Sequence, residues 1–333
     1  MHHPAPGLVI RMEGDSEPGP SDANNALLSA WKEAEHILPL DDVVRKELWD
    51  GSIPIRLSLA QEDVSTFESP LPFYIQTSRM GYLSLDLAPA RAYFQPYATS
   101  LAGATDEDMW VEYDSVPLKW HIPTGVLHDL LAPNAELPWA LKLHLSGYPE
   151  KKLLPYGGEA SVKRQFRQTL KQAASMRYGS AKRVSNLSLP EMEQLWGSIR
   201  EGDFARFREI STEILKPSQP GPQGLASIKR IPIRVMLPHL QSPIQYPFNA
   251  FKPDGSLQTL TDLLQQLFPR WPDLSVGDSA DASGDAAGVS EADAVERNVI
   301  VQGISPPHHT PLLWLSQQLS HPDSVLYICI TPS

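Results

Sequence analysis

The sequence predicts an α+β fold in which two copies of one small sheet-and-helix unit flank a helix-rich segment. Three observations predict it. The tetrapeptide Ile53-Pro54-Ile55-Arg56 returns as Ile231-Pro232-Ile233-Arg234. Each copy is followed by an amphipathic helical run and further apolar runs in the same order. Between the copies, apolar residues recur at helical rather than strand spacing.

Residues 1–40 read as an N-terminal extension. The first twenty or so are Pro/Gly-rich and polar, a composition that cannot bury a core and is expected to be disordered. From Ser21 an amphipathic helix is expected, with Leu27, Leu28, Trp31, Ala34 and Leu38 on one face and Pro39 as its stop. That face needs a partner, in this chain or in another protein. The first unit is expected over 41–150. A short helix, Asp41 to Trp49, leads into the strand Ile53 to Leu59, with Pro54 placing that end at a sheet edge or outside the ladder. A strand around Val116 to His121, the helix Thr124 to Leu131 and the strand Ala140 to Leu145 complete it.

The helix-rich segment spans 151–216. It holds a helix over Ser161 to Ser180, a second over Pro190 to Arg200 and a third over Asp203 to Leu215. Residues 217–228, rich in Pro, Gly and Ser, read as a linker. The second unit, 229–333, follows with Gly255, a helix from Leu257 to Phe268 and a strand from Asn298 to Gly303. A short helix from Pro311 to Leu319 is expected to be capped by Thr310, and a last strand runs from Ser324 to Ile330. The insertion 272–297 carries seven acids among Gly, Ala and Ser before Arg297 and reads as a disordered loop. Strand, strand, helix, strand, short helix, strand is the order of a ubiquitin-like β-grasp fold. The alternative is a generic α+β sandwich.

Composition narrows the functional classes. The net charge of −11 argues against a general nucleic-acid or anionic-membrane binder. The single cysteine, Cys329, excludes a disulfide framework and a cysteine metal cluster, and its place in Val325 to Ile330 marks it as a core residue. No apolar run reaches the ~18 residues needed to span a bilayer. With no signal-peptide pattern at its start, the chain is expected to be cytoplasmic. The 32 prolines are about twice the usual ~5% and favour short strands and turns.

No catalytic constellation is found, and neither a cofactor nor a metal is expected. The pair His308-His309 reads as a loop pair, since adjacent residues rarely face one ion. Trp120-His121 reads as strand packing and Asp262 as an ordinary exposed helix acid. Gly-x-Ser-x-Gly, phosphate-cradling and His-Glu-x-x-His patterns are missing. What stands out is local charge. Lys163 to Arg183 holds seven basic residues and no acid in an otherwise acidic chain. Lys163, Arg167 and Lys171 recur at i, i+4, i+8 and form a basic ridge beside an apolar stripe of Val162, Phe166, Leu170, Ala173 and Met176. By itself such a ridge reads as a solvated helix face or as a docking site for an acidic partner.

Leu170-Lys171-Gln172-Ala173-Ala174 and Met176-Arg177-Tyr178-Gly179-Ser180 resemble the acceptor-lysine segment of the autophagy protein 5 family. The family usually has Glu where this chain has Gln172. The resemblance extends through Leu48-Trp49-Asp50-Gly51-Ser52-Ile53-Pro54 and through Trp110-Val111-Glu112-Tyr113-Asp114-Ser115-Val116-Pro117-Leu118-Lys119-Trp120-His121. It continues in Leu137-Pro138-Trp139, Thr310-Pro311-Leu312-Leu313-Trp314-Leu315 and Ser320-His321-Pro322-Asp323. Ser115 replaces the family's Gly, which argues that this turn does not need a positive φ.

The resemblance implies two ubiquitin-like β-grasp domains flanking a helix-rich domain. It implies that Lys171 is the isopeptide acceptor of the ubiquitin-like autophagy protein 12, delivered by the conjugating enzymes of the autophagy system. Lys163, Arg164 and Arg167 are the candidates for docking that modifier. It further implies a groove for the N-terminal helix of autophagy protein 16, for which Arg79 and Tyr82 are candidate lining residues. The conjugate would promote transfer of autophagy protein 8 to phosphatidylethanolamine, peripheral to the phospholipid membrane at the preautophagosomal structure. The rival readings are an unconjugated two-β-grasp adaptor that binds a partner helix, and a peripheral membrane module that uses the basic ridge.

Overall fold

The computed structural model describes residues 32, 39–101, 103, 105–215, 227–268 and 297–332. The amphipathic helix expected after Ser21, the Pro/Gly linker and the acidic insertion lie almost wholly outside them. Helix α1 (Asp42–Trp49) opens the described chain. Asp41 caps it, its Oδ1 accepting from the amides of Val43 at 2.9 Å and Val44 at 3.2 Å.

The first sheet contains β1 (Ser52–Leu59), β2 (Phe73–Ser78), β3 (Trp110–Tyr113), β4 (Val116–Pro117) and β5 (Trp139–His144) in the order β2-β1-β5-β3-β4. The helices α2 (Ala88–Phe94) and α3 (Thr124–Leu131) belong to this unit. The second sheet contains β6 (Ile231–Met236), β7 (Ile244–Phe248), β8 (Arg297–Ile300) and β9 (Leu326–Pro332) in the order β7-β6-β9-β8, with α8 (Leu260–Leu267) and α9 (Leu312–Gln318). In each sheet the first strand pairs antiparallel with the second and parallel with the last, while the last pairs antiparallel with a third. That shared topology is the β-grasp arrangement, and the Ile-Pro-Ile-Arg repeat marks the same strand in both copies.

Proline sits at the same register in both. Pro54 faces Gln76 on the β2 side, while the parallel ladder with β5 starts one residue later at Ile55 and Trp139. Pro232 likewise faces Pro247, and the ladder with β9 starts at Ile233 and Leu326. Neither proline has an amide to give, so each sits just outside the parallel ladder, although the strand itself is internal.

Several elements differ from the sequence reading. Strands β2, β3 and β7 were not anticipated. The strand expected over Val116 to His121 ends at Pro117, after which Trp120 turns away to donate its indole N–H to the Leu154 carbonyl at 2.9 Å. The β3–β4 turn does require positive φ: Asp114 stands at 46° and Ser115 at 64°. A two-residue hairpin turn with this handedness matches the twist of its strands, which overrides the steric preference of both residues. Thr310 does not cap α9, whose N-cap is Pro311 without a side-chain bond. Asp262 is not an idle surface acid. It closes a capping box with Thr259 and accepts from Lys252 Nζ at 2.9 Å.

Between the sheets lie α4 (Gly158–Tyr178), α5 (Lys182–Ser185), α6 (Leu189–Glu201) and α7 (Phe204–Leu215). Ser188 and Glu191 close a capping box at the start of α6, and Gly202 ends that helix at φ 70°. Phe166, Leu195, Trp196, Ile199 and Phe207 form the core of this bundle. Helix α1 is drawn into it: Trp49 stacks on Phe207 at 4.6 Å and donates its indole N–H to Gly202 at 2.8 Å. The leading helix therefore packs against the bundle rather than on the first sheet.

Strand β9 joins the two sheet units. Leu326, Ile328 and Ile330 point into the second unit's own core. Val325, Tyr327 and Cys329 pack with the first unit's core, among residues such as Val126 and Leu127. Cys329 is buried there, as its apolar neighbourhood predicts, and burial holds its thiol well above the usual range.

Candidate functional site

Helix α4 is placed by what it buries. Val162, Phe166, Thr169, Leu170, Ala173, Ala174 and Arg177 face inward, and this period leaves Lys163, Arg164, Arg167 and Lys171 toward the outside. The apolar stripe is as expected except at its end, where Met176 is half-buried and Arg177 takes the inner position. Gly179 ends the helix at φ 72°, a left-handed conformation that favours glycine.

The basic run separates into distinct roles. Lys163 Nζ is clamped by both carboxylate oxygens of Glu193 on α6. Arg177 is 2% exposed, and its Nη2 donates to Ser316 on α9, leaving Nε and Nη1 without partners. Burial lowers its guanidinium pKa from the usual range. Arg183 lies over the Tyr178 ring at 3.9 Å. Arg164 and Arg167 are exposed and Lys171 is half-buried; among the described residues none of the three has an ion-pair or hydrogen-bond partner for its side chain.

Lys171 is thus an amine on a rigid helix, packed at its base and uncommitted at its tip. One turn further on the same face, Ser175 lines an open depression of about 660 Å³ with Met176, Gly179, Lys229, Arg230 and Asn249. Its neighbour Gln172 is tied to the second unit: Oε1 accepts from Arg234 Nη2 at 3.3 Å. Arg234 Nη1 donates to the Tyr327 hydroxyl at 3.0 Å, which donates to Asp323 Oδ2 at 2.7 Å. Burial raises the carboxyl of Asp323 and, more strongly, the phenol of Tyr327. This string registers α4 on the second sheet. Sequence reasoning missed it, although the repeated tetrapeptide already placed an arginine at position 234.

Arg79 and Tyr82 sit where the three bodies meet. Tyr82 is 5% exposed, among Trp49, Phe166 and Trp196 of the bundle core. The Arg79 amide donates to Gly51 O and its carbonyl accepts from the Gly125 amide, both at 2.9 Å. Its Nη2 contacts Asp129 Oδ1 at 2.5 Å, while Asp129 Oδ2 accepts from the Gly303 amide at 2.7 Å. A Cβ on Gly125 or Gly303 would come within 2.9 Å of Arg79. Asp129 therefore ties the first unit to the second, with Arg79 holding its carboxylate and packed against Gly303, and the glycine neighbours of Arg79 are the sequence signal that could have shown it. Among the described residues no group of three His, Cys, Asp or Glu could hold a metal, and none of the helices is long and apolar enough to cross a membrane.

Comparison with known proteins follows the same three bodies. Residues 48–145 match the family model described as autophagy protein ATG5, UblA domain. Residues 159–217 match its alpha-helical bundle region and residues 230–330 its UblB domain. Autophagy protein 5 of Arabidopsis thaliana is 30% identical, over 86% of this chain and 96% of that protein. Autophagy protein 5 of Oryza sativa subsp. indica is 30% identical, over 86% and 92%. The crystal structure of Kluyveromyces marxianus Atg5 matches with a TM-score of 0.68 at 23% identity, covering 88% of this chain and all of that one.

Proposed function

The chain belongs to the autophagy protein 5 family and has a role in autophagy, and from that premise we propose that it is a scaffold conjugated through Lys171 to the ubiquitin-like autophagy protein 12. The observation that carries this reading is the uncommitted amine of Lys171 on a helix fixed from behind. In the reaction, the C-terminal glycine of the modifier arrives as a thioester on a cysteine of the conjugating enzyme. The neutral amine attacks the thioester carbonyl carbon, the C–S bond breaks, the thiolate leaves on the enzyme and the amine loses a proton. The product is an isopeptide bond. This chain supplies only the nucleophile and a surface that presents it.

Arg164 and Arg167, with no partner among the described residues, suit docking of the modifier's surface. Lys163 would have to exchange its bond to Glu193 to join them. Arg79 and Tyr82 would form the floor beneath a groove for the N-terminal helix of autophagy protein 16. The conjugate would then act, ligase-like and without an active site of its own, in transfer of autophagy protein 8 to phosphatidylethanolamine. It would act in the cytoplasm, peripheral to the membrane, at the preautophagosomal structure.

The test is reconstitution with the activating and conjugating enzymes and the modifier, comparing the native chain with Lys171→Arg. A reductant-resistant conjugate that is lost in the variant supports the reading. If Lys171→Arg conjugates as well as the native chain, Lys171 is not the acceptor. If neither conjugates, the unconjugated adaptor reading replaces it.

A further inference from the structure

A second, separate site lies in the seam between the two sheet units. A cleft of about 330 Å³ is lined by Lys119 and His121 of the first unit, by Lys151 and Lys152 of the turn that follows it, and by Met236, Gln241, Ser242 and Pro243 of the second unit. That volume corresponds to roughly ten water molecules at ~30 Å³ each. Its walls are built structures. Lys119 Nζ donates to the Gln241 carbonyl across the seam. The turn carrying Lys151 and Lys152 is closed by the amides of Lys152 and Leu153, which donate to Pro149 O at 2.8 and 3.0 Å. The Leu154 carbonyl at its end accepts from the Trp120 indole and the Tyr148 hydroxyl.

The charge balance is unusual for this molecule. Glu150 is the one carboxylate in the lining, so three lysines against one acid leave +2 in a chain of net charge −11. Lys46, Lys142, Lys163 and Lys252 each hold a carboxylate. Among the described residues, Lys119, Lys151 and Lys152 hold none. Among the described residues, Glu150 is the one acid set against the positive charge in the seam. Consistent with this, burial and then the charges of Lys119 and Arg234 push the His121 imidazole down to about 4, and burial also lowers the Lys119 ammonium.

We propose that this interdomain cleft binds a small polyanion bearing phosphate monoesters, with Lys119, Lys151 and Lys152 as its ligands. Phosphate suits the site because point-charge ammonium groups from a turn and a strand end converge on one concavity. The ligand could be a free metabolite or a lipid headgroup, since the chemistry recognised is the same.

The experiment uses the full chain and two probes, inositol hexakisphosphate in solution and phosphatidylcholine vesicles with or without phosphatidic acid. Binding is compared among the native chain, Lys151→Glu/Lys152→Glu, and a ridge control, Lys163→Glu/Arg164→Glu/Arg167→Glu. The expected result is binding by the native chain and the ridge control, weakened about tenfold or more per lysine lost in the cleft variant. It should also weaken with added salt. Soluble binding without vesicle binding identifies a free metabolite; cleft-dependent vesicle binding identifies a headgroup. The proposal is overturned if neither probe binds, or if the ridge variant loses binding while the cleft variant keeps it. A chemical-shift titration of His121 gives a second readout: its pKa should rise on binding, and an unmoved value with bound probe would place the anion elsewhere.

Discussion

Replacing Asp129 by alanine should cost the folded chain about 2–4 kcal/mol. The carboxylate is 4% exposed and serves two partners, Arg79 Nη2 at 2.5 Å and the Gly303 amide at 2.7 Å. Removing one member of a buried ion pair typically costs ~3–5 kcal/mol because the other charge is left uncompensated. The Arg79 side chain is 16% exposed and Gly303 is open to solvent, so water recovers part of this. The assay is equilibrium urea unfolding followed by tryptophan fluorescence, with Arg79→Met and the double variant closing a cycle. The double variant should fall short of the sum by about 1–2 kcal/mol, because the two sites share one contact.

The pH dependence supplies an independent sign. Burial by itself raises the Asp129 carboxyl, but His128, with Nδ1 3.8 Å from Oδ1, and the Arg79 guanidinium outweigh it and leave the group below its usual range. A carboxyl with a depressed folded pKa stabilises above its unfolded value, near ~4, and loses that contribution as pH falls through the folded value. The gap between native chain and Asp129→Ala should therefore be constant from pH 5 to 8 and shrink in acid. An alanine variant within about 0.5 kcal/mol of the native chain, or strict additivity in the cycle, would refute the account of Asp129 as an interdomain tie held by Arg79.

Other expectations follow from single features. Ser115→Gly should raise stability by about 1 kcal/mol, since it relieves a positive φ that only glycine adopts freely; a lower melting temperature would show that the hydroxyl matters more than the turn. Thr259→Ala should cost about 1 kcal/mol by opening the capping box of α8, since the Asp262 carboxylate loses the bond from the Thr259 hydroxyl and the Asp262 amide loses its acceptor; an unchanged urea midpoint would contradict this. Gln172→Glu should turn the contact with Arg234 into an ion pair worth a few tenths of a kcal/mol at low salt. If its thermal stability gain does not fade in high salt, the contact is not electrostatic.

Much of this architecture was legible because both sheet units repeat one pattern. Pro54 and Pro232 fall at the same register, and helices α3, α6, α7 and α8 fall where apolar spacing places them. Edge strands and short strands were harder. Residues Phe73 to Ser78 lie beyond Pro70 and Pro72 with no Gly or Asn turn to announce them, and β3 is only four residues long. The basic ridge was legible as charge but not as geometry. Residue type cannot distinguish Arg177, buried against α9, from Arg167, free in solvent, because the difference lies in which face the second sheet covers. The same limit applies to Arg79, whose place at a junction among three glycines is set by tertiary packing.

Strand β9 carries a consequence for how such a molecule can be inherited. Its alternate residues answer to different neighbours: Leu326, Ile328 and Ile330 to one core, Val325, Tyr327 and Cys329 to the other. A unit cut away at its borders would expose an apolar stripe with no water-compatible substitute. The two β-grasp copies look like exchangeable modules in their topology, yet neither can be shuffled into another protein unless its neighbour travels with it.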